Sequence, residues 1–239
     1  MPLTVLDRRS LLKALSLAPA FAVTVPRRAR AEAEAAGLIT PDVCLLQPEV
    51  TEGPYYIDPG LVRQDIAEGR PGLPVVLRFQ VVMADCKPVE GARVDVWHCD
   101  AAGDYSGVQG DAGTFLRGTQ PTDADGVAEF RSIFPGWYPG RVTHVHYKVF
   151  LDERTVLTGQ MFFDDRLANA IHADHPAYEG RGAQDTALAA DGIARQAGAG
   201  AVARLDLDAP DGEAIAALVV GVDRDRASGS LLERLFGRG

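Results

Sequence analysis

Val75, Leu77, Phe79, Val81 and Met83 alternate with a mixed set of residues. That period of two is what a strand with one buried face requires. Further strand-like runs follow at residues 91–98, 127–131, 142–151, 155–163, 202–207 and 215–222. Turn chemistry separates them. Asp85-Cys86-Lys87-Pro88 opens a turn, Asp123-Ala124-Asp125-Gly126 closes another, and Asp152-Glu153-Arg154 joins two strands tightly. Residues 101–113, rich in Gly and Asp, read as a long loop. Pro135-Gly136-Trp137-Tyr138-Pro139-Gly140 fits neither helix nor strand, because its prolines and glycines break both. Residues 164–196 read as a loop with one or two helical turns. Seven or so short strands with turns between them predict an all-β chain, a β-sandwich with long loops over residues 75–222. Residues 32–74 form a lead-in and an irregular Pro- and Gly-containing arm laid over it. Residues 223–239 make a tail, open to either disorder or a short helix around residues 231–236.

Composition narrows the class. The chain has 239 residues, 46% hydrophobic and 24% charged, which is ordinary for a soluble globular protein. A net charge of −9 argues against nucleic acid or an anionic membrane as partner. No uninterrupted apolar run is long enough to span a bilayer. The start of the chain carries Arg8-Arg9-Ser10-Leu11-Leu12-Lys13, a weakly apolar stretch, and Ala29-Arg30-Ala31. Paired arginines before a mild apolar segment and a small-x-small site predict a twin-arginine signal over residues 1–31 and export of an already folded protein. Cys44, Cys86 and Cys99 would then face an oxidising compartment, where one disulfide and one free thiol is the simplest outcome.

His144-Val145-His146 lies on a predicted strand, where side chains two apart share a face, so both imidazoles can reach one metal ion. Val145, Tyr147, Val149 and Leu151 make the cleaner apolar face. The histidines therefore look away from the main core. Tyr138, in its rigid turn six residues earlier, is a candidate third ligand. Arg141, between them, is a candidate for stabilising negative charge. His98 is expected to cap its strand end, and His172 and His175 are expected to be loop residues.

Taken together, residues 134–146 (Phe-Pro-Gly-Trp-Tyr-Pro-Gly-Arg-Val-Thr-His-Val-His) resemble the ligand signature of the intradiol ring-cleavage dioxygenases, a group that includes protocatechuate 3,4-dioxygenases and catechol 1,2-dioxygenases. A second segment, Val94-Asp95-Val96-Trp97 followed by Tyr105, resembles the part of those enzymes that carries their other tyrosine. The resemblance runs from about residue 52 to about residue 163, and the export signal is similar to the exported single-chain branch of the family. It implies that Tyr105, Tyr138, His144 and His146 hold one Fe(III). It also implies that Arg141 and Gln160 act on the charge of the substrate, and that Pro54, Tyr55 and Tyr56 line its pocket. The implied substrates are a catechol and O2. The catechol would bind through both oxygens and displace Tyr138, and its ring would open to a cis,cis-muconate-type diacid. No nucleotide cofactor or external reductant is needed, and a homo-oligomer is allowed. Hard phenolate oxygens suit a trivalent iron, whose charge favours the phenolate form of a side chain that is otherwise neutral at pH 7.

The same placement bears on the cysteines. Cys86 sits in a turn and Cys99 ends the following strand, roughly 40 Å away along a straight path of ~3.3 Å per residue. A disulfide between them is disfavoured. Cys44 can reach the Cys86 end, so a Cys44–Cys86 bridge is expected, with Cys99 a buried free thiol. Two other readings stay open on sequence alone. One is a non-catalytic transthyretin-like binding module, which the run from Lys87 through Phe130 to Tyr138 also resembles. The other is an exported copper or zinc carrier using His98, His144 and His146.

Overall fold

The computed structural model describes residues 46–58, 60–108, 112–207 and 213–224. The expected signal over residues 1–31, Cys44, and the tail beyond residue 224 lie outside these. Two four-stranded sheets stack face to face as a β-sandwich. The strands are β1 (Pro74–Met83), β2 (Arg93–Trp97), β3 (Arg117–Pro121), β4 (Val127–Ile133), β5 (His144–Leu151), β6 (Arg154–Phe162), β7 (Arg204–Asp206) and β8 (Ala214–Val222). One sheet runs β4-β1-β8-β7 and the other β3-β2-β5-β6. All neighbours are antiparallel except β1 and β8, which pair in parallel from Val75↔Ala214 to Met83↔Val222.

The alternation explains the core. Val75, Leu77, Phe79 and Val81 of β1 meet Val145, Tyr147, Val149 and Leu151 of β5, with Val94 and Val96 of β2 and Ala216, Leu218 and Val220 of β8 beside them. Successive side chains on a strand point to opposite faces, so His144 and His146 look outward from the sandwich, as their parity implied. They are nevertheless only 2% exposed, because loops cover that face of the second sheet.

Most strands lie where the hydrophobic pattern puts them, but β3 does not announce itself. Its sequence, Arg-Gly-Thr-Gln-Pro, has no apolar alternation. It is a strand because β2 pairs with its whole length, from Arg93↔Pro121 to Trp97↔Arg117. The segment after β6 is also more regular than expected. It holds α1 (Asp165–Asp174), capped by Asp164, and α2 (Gly192–Ala197), capped by Asp191. His172 is therefore not a loop residue. It is buried on α1, with Nε2 3.1 Å from the Pro135 carbonyl. The described part of the arm is irregular and tied down by single backbone contacts, including Val50 N–H to Thr158 O, Arg63 N–H to Thr119 O and Ile66 N–H to Arg131 O. Cys86 is in a disulfide, and Cys99 is a buried free thiol.

Candidate metal centre

β2, β5 and β6 place the inner half of the site through their pairing. Trp97, His146 and Gln160 stand side by side, since the registers run Trp97↔His146 and His146↔Gln160. Trp97 stacks on the His146 ring at 4.9 Å between centroids and 11° between planes. His144, one step along the same face, forms an edge contact with His146 at 4.7 Å. The two outer residues come from loops. Tyr105 follows β2, and Tyr138 sits in the turn before β5.

These four side chains converge. The two Nε2 atoms lie 3.1 Å apart. Tyr138 Oη is 3.2 Å and Tyr105 Oη 3.5 Å from His144 Nε2. The His144 Nδ1–H donates to the Val142 carbonyl at 2.6 Å, which fixes the tautomer and leaves Nε2 with a bare lone pair facing the cluster. Among the described residues, His146 Nδ1 is buried and has no hydrogen-bond partner. Burial first, and then the Arg141 charge, pushes the His144 pKa down to about 3. Burial, then His144, holds His146 well below its ordinary value. Burial raises both phenols, with Cys99 adding to the effect on Tyr105 and Arg141 opposing it on Tyr138. Two neutral imidazoles with facing nitrogens thus stand beside two hydroxyls that ionise only if something compensates the charge. A trivalent cation would do so, and it would engage the crowded lone pairs. The donor set is two oxygens and two imidazoles, which fits Fe(III). Among the described residues no group of three or more His, Cys, Asp or Glu side chains is placed to hold a metal, so the phenols carry half of this site.

Arg141 and Gln160 stand behind the four. Arg141 donates from Nη2 to Gln160 Oε1 at 2.6 Å and from Nε to Asp191 Oδ2 at 2.7 Å. Its Nη1 is 3.4 Å from Tyr138 Oη and 3.5 Å from His144 Nε2. Gln160 is itself anchored through Nε2 to the Thr51 carbonyl.

A cavity of about 420 Å³ opens over the tyrosines, lined by Tyr55, Arg70, Asp104, Val108 and Phe115 together with Tyr105 and Tyr138. Tyr55 is a wall residue and stacks on Tyr105 at 4.5 Å. Pro54 and Tyr56 are not among the lining residues. Pro54 is exposed, and Tyr56 turns onto Trp97 and donates to Asp95 Oδ2 at 2.9 Å. Bonded to a buried carboxylate, the Tyr56 hydroxyl is turned away from the cavity. His98 is fully engaged, with Nδ1 2.8 Å from Cys99 O and Nε2 2.7 Å from Ser132 Oγ, and is not available to a metal carrier.

Sequence reasoning missed Trp97, Arg117 and Asp191. Trp97 was visible by parity, as a large aromatic at the end of the strand that precedes Tyr105. Arg117 lies on the unrecognised β3. It is buried and donates to carbonyl and hydroxyl oxygens of Tyr55 and Ser106, so it clasps the chain on both sides of the Tyr55–Tyr105 stack. Asp191 carries an N-cap signal, an acidic residue just before a short helical run.

The chain is similar to known dioxygenases. A family model described as Dioxygenase matches residues 50–175. Catechol 1,2-dioxygenase 1 of Acinetobacter lwoffii is 33% identical over 141 residues, covering 47% of this chain and 45% of that one. The protocatechuate 3,4-dioxygenase beta chain of Burkholderia cepacia is 34% identical over 122 residues, 45% of this chain and 52% of that one. The chain thus spans about half the length of these curated relatives. Among solved structures, an intradiol ring-cleavage dioxygenase from Tetranychus urticae superposes with a TM-score of 0.73 at 32% identity, covering 78% of this chain and 98% of that one.

Proposed function

The chain belongs to the intradiol ring-cleavage dioxygenase family, and from that premise we propose that it is an Fe(III)-dependent enzyme that opens a catechol ring between its two hydroxyl-bearing carbons with O2, giving a cis,cis-muconate-type diacid. The observation that carries this reading is the convergence of Tyr105 Oη, Tyr138 Oη and His146 Nε2 on His144 Nε2, at 3.5, 3.2 and 3.1 Å, beside a cavity that the two tyrosines line. These four residues would hold the ion. Held there, Fe(III) would supply a Lewis acid that favours the catecholate dianion and its direct reaction with O2.

The protein's own groups have distinct tasks. Tyr138 lines the cavity, so its Oη is placed to receive a catechol proton. Tyr105 is held more firmly, with its ring under Tyr55 and its neighbour Ser106 tied to Arg117. Arg141 Nη1 faces Tyr138 and can stabilise negative charge that grows on the substrate. Trp97 and Val142 orient the two imidazoles by stacking and by hydrogen bonding.

Export by the twin-arginine route is part of the same reading. Arg8-Arg9 supports it, as does the disulfide at Cys86, since such bonds persist in oxidising compartments. Among the described residues no helix is long and apolar enough to cross a membrane. The test is metal analysis of the purified protein with a product assay over a panel of catechols. One iron per chain, visible tyrosinate absorption and a muconate-type diacid are expected. A colourless zinc protein without ring cleavage, or a semialdehyde as main product, would overturn the proposal.

A further inference from the structure

We propose that Asp191, at the start of α2, is a positioning residue that aims the Arg141 guanidinium at Tyr138 and His144, an inference that rests on the dioxygenase reading above. A guanidinium is planar and rigid. Fixing two of its nitrogens fixes where the third one points. Gln160 holds Nη2 and Asp191 holds Nε, so Nη1 is left toward the site. With Gln160 alone, the plane could pivot about a single hydrogen bond.

The Asp191 carboxylate is well suited to this task. Its side chain is 1% exposed. Oδ2 accepts from Arg141 Nε and from the Val142 N–H at 3.1 Å, and Oδ1 accepts from the Ile193 and Ala194 N–H groups at 2.8 and 3.0 Å. It cannot rotate without uncapping α2 or releasing the entry to β5. The helix behind it is seated by Ala194 and Ala197, which pack with Val142 and Phe162. Burial works against the carboxylate, but the bonds from Ala194, Arg141 and Val142 outweigh it and keep the group ionised. Asp191 also supplies the counter-charge for an arginine only 17% exposed beside two imidazoles.

Its neighbours clamp the same turn. Arg181 donates to the Trp137 carbonyl, Trp137 Nε1 to Gly182 O, Gly140 N to Asp185 Oδ1, and Thr143 N to Gln184 Oε1. Those four contacts hold backbone or an outer ring. The Asp191 contact reaches the side chain that faces the chemistry.

Asp191→Ser keeps a capping oxygen for α2 while removing the oxygen that faces Arg141. Iron content and visible absorption should stay at wild-type levels. The kcat for ring opening should fall about ten- to a hundredfold, since a misaimed charge is lost mainly from the transition state. In an Arg141→Gln background the same substitution should cost nothing more. In metal-free protein, urea unfolding of the wild type, the two single variants and the double variant should show non-additive stabilities, because the two side chains touch. An unchanged kcat, or an equal loss in both backgrounds, would overturn the proposal. If Asp191→Ser does not fold, Asp191→Asn decides the matter. It can cap the helix, but it turns an amide donor toward the donors of Arg141 and Val142, and wild-type kcat in that variant would sink the idea. An iron-loaded wild-type protein that opens no catechol would defeat the functional reading instead. The urea cycle would then decide alone, with additive stabilities counting against Asp191.

Discussion

Gly136→Ala should separate the two tyrosines and cost the protein its metal. Gly136 lies two residues before Tyr138, and its N–H donates to the Asp100 carbonyl at 3.1 Å. A methyl group there would stand 2.6 Å from the carbonyl oxygens of both Asp100 and Ala101, some 0.8 Å short of ordinary contact. Both obstacles are backbone, and Asp100 is pinned by its ion pair with Arg70 and by the Ala102 and Asp104 N–H groups. The turn carrying Tyr138 must therefore move away from the loop carrying Tyr105. Overpacking costs about 1–3 kcal/mol, and the strained hydrogen bond about 1 more. A loss of roughly 2–4 kcal/mol in metal-free protein should appear as a Tm lower by about 5–15 °C. Metal sites tolerate only ~0.2 Å in ligand distance, so iron affinity should fall at least about 10–100-fold. The assay is thermal unfolding of metal-free protein, with iron titration followed by visible absorption. Gly140→Ala is the control. It is in the same turn with φ +83° and open space around the added methyl, so it should cost only about 1–2 kcal/mol of left-handed strain and keep its iron. A Gly136→Ala protein with wild-type Tm and iron binding would refute the argument that these two loops set the tyrosine spacing.

Tyr105→Phe and His146→Ala each remove a proposed ligand and should abolish visible absorption and bound iron, whereas Tyr138→Phe should retain some iron and slow substrate deprotonation, as metal analysis and stopped-flow spectra can show. Metal-free protein should lose stability as pH falls from about 6.5 toward 4. Burial depresses the His98 pKa to about 4, so the unfolded chain takes up a proton that the folded chain refuses. His98 alone should contribute ~3 kcal/mol to this loss, and urea midpoints for His98→Gln should show a flatter pH dependence over that interval. Peptide mapping without reductant should find Cys86 joined to Cys44, with Cys99 alkylated only after unfolding.

The fold was legible wherever one sheet face is apolar. In β1 and β5 the inward residues are Val, Leu, Phe and Tyr at every second position, and burial of that face decides the register. β3 was not legible because its Gly and Pro carry no such pattern, and its strand conformation comes from β2. The helices after β6 were blurred for a related reason. α1 and α2 are short and are defined by the Asp164 and Asp191 caps more than by a long amphipathic face.

The site divides along the same line. His144 and His146 could be paired from spacing alone, because a strand puts positions two apart on one side. Tyr105 and Tyr138 could not, since they sit on loops whose paths depend on long-range contacts such as Gly136 N–H to Asp100 O; the rigid turn made Tyr138 a candidate, and only likeness to a known motif brought in Tyr105. Tyr56 shows the limit of that likeness. A motif places the residue near the pocket, but the side chain follows the strongest local partner, and here the buried Asp95 carboxylate draws its hydroxyl away. The pairing of Asp191 with Arg141 lies beyond the reach of any local motif, because the two are fifty residues apart in sequence. What selects it is charge: a mostly buried arginine beside neutral imidazoles needs a fixed anion, and in this sandwich the cap of α2 holds one, because the Ile193 and Ala194 N–H groups already order its carboxylate.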